Sequence, residues 1–203
     1  MAGGRRDRLA PVVLLGPALL AVAVFLGGCA ALPLPGRQEA AAGPTAADFT
    51  LPDQDGRGVT MKDLRGKAVV LDFIYTNCPP DEECPVLTAK LVGLQQQLKT
   101  AGLSDRVVIL SITFDPERDT PEVLKAYAQQ FGADLSNWHF LRGNNAQTRE
   151  VSHAYSIGYN KLDTGGFEHT AVIMVIDPQG RIRAWEPPGF GGRNLLEVVQ
   201  QVL

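Results

Sequence analysis

Three cysteines and three histidines carry most of the metal-binding and redox chemistry available to this 203-residue chain: Cys29, Cys78, Cys84, His139, His153 and His169. Cys78 and Cys84 lie in the segment Cys78-Pro79-Pro80-Asp81-Glu82-Glu83-Cys84-Pro85, with five residues between them instead of the two of a thiol-exchange motif. Asp81, Glu82 and Glu83 fill that gap with negative charge, which raises thiol pKa values and favours a bound cation. The loop therefore reads as tuned away from an aggressive nucleophile and toward holding a metal. Three cysteines are an odd number, and in an exported protein an odd cysteine needs a separate role.

The N-terminus supplies one. Arg5, Arg6 and Arg8 precede an uncharged run from Leu9 to Leu26, and Gly27, Gly28 and Cys29 follow. A basic start, an apolar middle and small residues before a cut site describe an export signal. Leu26-Gly27-Gly28-Cys29 is similar to a bacterial lipobox, so residues 1–28 are expected to be a lipoprotein-type signal peptide and Cys29 the lipidated residue. An uncleaved membrane anchor is the competing reading, disfavoured by Pro11, Pro17 and the terminal glycines. Residues 29–47, rich in Ala, Pro and Gly, read as a flexible linker, and the folded domain is expected over 48–203. Cys78 and Cys84 then form an even pair outside the cytoplasm, either a disulfide, a metal site, or both in turn. The net charge of −3 becomes −5 when three Arg and one Asp leave with residues 1–28, which argues against nucleic acid as a partner.

The elements that must position these side chains alternate. Phe49-Thr50-Leu51 and Val59-Thr60 flank a glycine-containing turn and suggest an opening hairpin. Residues 68–75 (AVVLDFIY) and 107–114 (VVILSITF) have the composition of buried strands. Leu87, Leu91, Leu94 and Leu98 recur at helical spacing, with Gly102 as the stop. Thr120-Pro121 opens a second helix with Val123, Leu124, Tyr127 and Phe131 on its inner face. Residues 138–141 suggest a short strand and 147–155 a helix. Residues 170–176 (TAVIMVI) form a strong strand pattern, a turn at Asp177-Pro178-Gln179-Gly180 leads to a partner strand over 181–185, and 194–203 ends as a helix.

A βαβ unit followed by ββα, with cysteines at the first strand-to-helix turn, predicts an α/β fold: a thioredoxin-like mixed sheet flanked by helices, with an N-terminal hairpin extension. Both sulfurs then sit on the surface at the carboxyl end of a central strand, near a helix N-terminus that favours a thiolate. Thioredoxins open the strand facing their cysteines with a proline; here the corresponding pair is His169-Thr170. Two thiolates and one imidazole make a soft donor set suited to copper(I), and the imidazole also supports copper(II). Zinc prefers four ligands, and no fourth is evident. His139 and His153 lack comparable surroundings and read as structural.

The stretches Thr76-Asn77-Cys78-Pro79, Cys84-Pro85, residues 113–121 (TFDPERDTP), His169-Thr170 and residues 176–180 (IDPQG) together resemble the Sco/SenC family. The resemblance covers roughly residues 46–185. It implies a copper-binding protein that helps assemble the Cu-A centre of cytochrome c oxidase, with Cys78, Cys84 and His169 as ligands to one copper. It also implies an oxidase subunit as the copper-receiving partner, a periplasmic copper donor or thiol reductant, and attachment to a membrane on the periplasmic side through the lipid. Some family members are instead thought to keep target cysteines reduced, which would make Cys78 and Cys84 a redox pair. The family usually places three residues between its cysteines and Asp before the histidine; here there are five residues, and Glu168. A peroxidase reading requires a low-pKa thiol at Cys78, which the acidic loop opposes. Residues 115–119 (DPERD) read as a family marker, with a supporting role expected of Asp115, and Trp185 to Phe190 reads as a connector.

Overall fold

The computed structural model describes residues 43–189 and 194–203; the expected signal peptide and Cys29 lie outside them. The chain opens with the antiparallel hairpin of β1 (Thr50–Pro52) and β2 (Gly58–Thr60), where Asp53 accepts hydrogen bonds from the amides of Asp55 and Arg57 and shapes the turn. Next come β3 (Ala68–Ile74), α1 (Glu83–Thr100) and β4 (Val107–Thr113). They form the expected βαβ unit, with β3 and β4 parallel from Ala68↔Val107 to Ile74↔Thr113. Every residue of both strands is buried, so both faces of the sheet are covered there. The leucine stripe of α1 is buried as its spacing predicts, and Gly102 closes the helix at a φ of +68°, a backbone conformation that suits glycine.

α2 (Pro121–Phe131) starts at Thr120, whose hydroxyl accepts from the Val123 amide, and buries Leu124, Tyr127 and Ala128. Val123, expected on the inner face, is exposed: at the first turn it sits beyond the edge of the face that Leu124 and Ala128 define. β5 (Trp138–Leu141) adds in parallel to β4, and α3 (Asn145–Ala154) follows behind an Asn144–Gln147 capping box. β6 (Tyr159–Lys161) and β7 (Phe167–His169) form a second hairpin. β8 (Ile173–Ile176) and β9 (Ile182–Glu186) complete a five-stranded sheet in the order β5-β4-β3-β8-β9, and α4 (Leu195–Val202) packs against α1, β3 and β8. This is the thioredoxin-like mixed sheet, with two parallel pairings and two antiparallel ones, β8 alone running against the other four strands.

The β6–β7 hairpin was not part of the expectation. Its signal was the turn sequence Asp163-Thr164-Gly165-Gly166 between short segments ending in Lys161 and beginning at Phe167. Consequently His169 closes β7 and does not open β8; Thr170 to Val172 form a connector, with the Thr170 amide bonded to the Gly158 carbonyl. The folded body also takes in residues 43–47, the end of the expected linker. Ala46 is buried, its amide donates to Gly180, and the Ile182 amide donates to Pro44. A β-carbon on Gly43 would lie 1.9 Å from the Ile182 carbonyl oxygen, so only glycine permits that approach. Among the described residues no helix is long and apolar enough to cross a membrane.

Candidate metal centre

Cys78 follows β3 after a tight turn in which its amide bonds to the Tyr75 carbonyl, 3.3 Å away. The five residues up to Cys84 are absorbed by a second turn, Glu82 amide to Pro79 carbonyl, and by starting α1 at Glu83. Cys84 is thus the second residue of α1, inside its first turn and not ahead of the helix. His169 reaches the same place from β7, whose register sets it opposite Tyr159. The two sulfurs and one imidazole nitrogen lie within 4.8 Å of one another, and Cys84 Sγ is 3.3 Å from His169 Nε2. The two extra loop residues therefore do not hold the sulfurs apart, and both thiols are free.

The site is sunk beneath the surface expected for it. Cys84 is fully buried, Cys78 is 8% exposed, and His169 is half-buried. Aromatic rings seat the imidazole: Phe114 at 4.8 Å, tilted, and Tyr75 at 5.9 Å, edge-on. The Tyr75 hydroxyl accepts from the Phe167 amide, which ties this ring to β7. His169 Nδ1 is buried without a hydrogen-bond partner, so ring packing and the Nε2 contact with Cys84 orient the imidazole.

Electrostatics separate the two thiols. Cys78 is pushed down to about 4, chiefly because the Cys84 thiol donates to its sulfur, with His169, the Cys84 backbone amide and Tyr75 assisting. Cys84 is pushed up for the complementary reasons, its bond to Cys78, its burial and the neighbouring Cys78 charge. The sequence-level expectation that acidic neighbours raise both thiols fails for Cys78. Of the three acids, only Glu82 has a close contact with it, Oε2 lying 3.7 Å from the Cys78 sulfur, and the short-range donors outweigh that charge. Glu82 is itself pushed up, by desolvation and by Cys78.

Two acids have individual roles that the sequence reading did not assign, Asp119 within residues 113–121 and Asp72 within residues 68–75. Asp119 is fully buried and accepts from the Thr76 amide and hydroxyl and from the Thr113 hydroxyl, clamping the turn before Cys78 onto the end of β4. Thus the segments around Thr76-Cys78 and Thr113-Pro121 form one unit. Asp72 lies in the middle of β3, opposite Ser111, whose hydroxyl donates to it. Its second oxygen has no partner, burial pushes its carboxyl up to about 7, and its charge acts on Cys84. A lone acid inside the buried run AVVLDFIY was the available signal. Of the other histidines, His139 Nδ1 lies 3.1 Å from Asp53, pinning the first hairpin to β5, and His153 is exposed at the end of α3.

A thioredoxin-like sheet carrying two thiols and an imidazole at the carboxyl end of β3 defines the class: a cysteine- and histidine-based redox or metal protein. The chain belongs to the SCO1/SenC family, whose family model matches residues 37–203. Among solved structures it is similar to a SCO1/SenC family lipoprotein from Bacillus anthracis, with 29% identity, a TM-score of 0.69, and 78% of this chain and 94% of that one covered. It is also similar to Bradyrhizobium japonicum ScoI with copper bound, at 29% identity and a TM-score of 0.61, covering 78% and 98%. A third likeness is to BsSco, described as having a disulfide switch and as a member of the Sco family of cytochrome c oxidase assembly proteins; identity is 26%, TM-score 0.67, coverage 78% and 92%. The chain spans about half the length of the first curated relatives it matches.

Proposed function

We propose that this chain is an extracytoplasmic copper-binding assembly factor that delivers copper to, or matures, the Cu-A centre of cytochrome c oxidase. The supporting observation is the convergence of Cys78, Cys84 and His169 donors within 4.8 Å. Two sulfurs and one imidazole nitrogen suit copper(I) better than a hard cation, and membership of a family with copper-bound and oxidase-assembly members agrees. Copper is here the cargo. Cys78 meets it as a thiolate, Cys84 gives up its proton on ligation, and the aromatic seat keeps His169 facing the sulfurs. The receiving partner is an oxidase subunit, with a periplasmic copper donor or thiol reductant upstream. Residues 1–28 as a lipoprotein signal and Cys29 as the lipid attachment put the domain on the periplasmic side of a membrane, in keeping with the lipoprotein relative.

Anaerobic titration of the reduced protein with copper(I) is expected to give about one copper per chain, lost in His169→Ala. Undiminished affinity in that variant sinks the ligand assignment. A second reading, a thiol–disulfide oxidoreductase that keeps target cysteines reduced, draws on the Cys78 thiolate lying beside the protonated Cys84. Fast turnover on disulfide substrates without copper would favour it over the first.

A further inference from the structure

Asp115 follows β4 and Phe114 in the chain, and its side chain is 2% exposed. Its Oδ2 is buried and accepts no hydrogen bond; its nearest charge is Arg118 Nη1 at 3.8 Å, and that guanidinium already donates to the Gly165 carbonyl. Burial pushes the carboxyl above its ordinary range. A buried acid without a donor costs free energy unless something supplies one. Asp115 borders a cavity of about 290 Å³ whose walls include the rings of Phe114, Tyr159 and Phe167. Phe114 and Tyr159 stack at 5.3 Å, offering π faces beside the carboxylate. The other acid at the rim, Glu117, is taken: Asn145 donates to one oxygen and Lys161 pairs with the other at 3.3 Å. Asn160, Lys161 and the exposed Arg149 also line it, and Lys161 Nζ, paired with Glu117, lies 6.0 Å from the Phe167 ring. The group left without a hydrogen-bond donor is the Asp115 carboxyl, which a cationic donor would satisfy, and the rings favour a flat or compact cation.

We propose that this cavity is a socket for a basic side chain, arginine or lysine, presented by a protein partner, with Asp115 holding the cation and Tyr159 and Phe167 flanking it. The Phe114 ring that walls the socket also packs on His169 at 4.8 Å. A partner anchored there stands directly beside the Cys78–Cys84–His169 group. Assigning that partner as the copper recipient rests on the function proposed above; the socket itself does not.

The test uses the full chain, reduced and copper-free in detergent, with its four tyrosines replaced by 3-fluorotyrosine and the Tyr159 fluorine signal assigned through Tyr159→Phe. Nα-acetyl-arginine amide should move the Tyr159 signal saturably. The uncharged isostere Nα-acetyl-citrulline amide should bind at least about fivefold more weakly. Asp115→Asn should abolish that difference while the signals of Tyr75, Tyr127 and Tyr155 stay in place. Equal response to citrulline, stronger response to Nα-acetyl-glutamate amide, or no saturable shift overturns the proposal without any variant having to fold. Retention of the charge preference in Asp115→Asn overturns the role of Asp115. Because no copper is present, these outcomes are independent of whether the metal assignment holds.

Discussion

Asp72 is the residue whose chemistry departs most from its sequence surroundings. Folded, it keeps its proton until about pH 7, whereas a free aspartate releases it near 3.8. Between those values the native state binds more protons than the unfolded chain, so this carboxyl makes stability fall as pH rises, by up to about 1.4 kcal/mol per pH unit. Cys78, lowered to about 4 from 9, contributes the opposite slope over much of the same range, because there the folded thiolate holds fewer protons than the unfolded thiol. Comparing wild type with Asp72→Asn isolates the acid. Denaturant unfolding at pH 4.5 and 7.5 should show the variant gaining on wild type at the higher pH, and parallel pH profiles for the two proteins would rule the account out. At this scale the sequence displayed the candidate donors plainly, since Cys78, Cys84 and His169 stand in distinctive contexts. It could not display the ordering of the two thiols, which depends on which sulfur receives the amide and thiol donors at the helix start, a matter of ångströms.

The elements explain why the site tolerates an unusual loop. Residues 79–83 fold into a turn and the first residue of α1, while the segment before Cys78 is held from the other side by Asp119. That clamp joins the β3 exit to the β4 exit, so the cysteine loop is positioned by the sheet and not by its own length. Replacing Asp119 with Ala leaves the Thr76 and Thr113 donors unpaired and should cost about 2–3 kcal/mol. It should also weaken metal binding although no ligand changes. Thermal unfolding and copper affinity measured together check this; a destabilised variant with unchanged affinity would show that the clamp serves stability only. Long apolar runs made β3 and β4 readable in the sequence, the leucine spacing made α1 so, and the Thr120-Pro121 start did the same for α2. The β6–β7 hairpin escaped because three-residue strands carry almost no periodicity, and its existence moved His169 from the head of one strand to the tail of another.

Across the whole molecule, β3 runs from a base where Lys67 follows the Gly66–Pro178 contact to an upper end where Cys78 emerges. β8 is antiparallel to it, so the turn at Gly180 lies at the base, and residues 43–46 are fastened there through the Ala46–Gly180 and Ile182–Pro44 bonds. Sequence alone marked this stretch as linker because Ala, Pro and Gly bury little surface; its attachment is by backbone hydrogen bonds, which composition does not encode. Gly43→Val drives a side chain into the Ile182 carbonyl and should free the strap at a cost of about 1–3 kcal/mol. Amide hydrogen exchange at Ala46 and Ile182 should quicken in the variant, and unchanged protection would refute the close approach. The placement of the strap has a mechanical meaning. The sheet works as a mast roughly 20 Å tall, moored at its foot and carrying its reactive group at the masthead. A load applied at Gly43 therefore reaches the foot of the sheet first, and the cysteines stand a strand's length away from it.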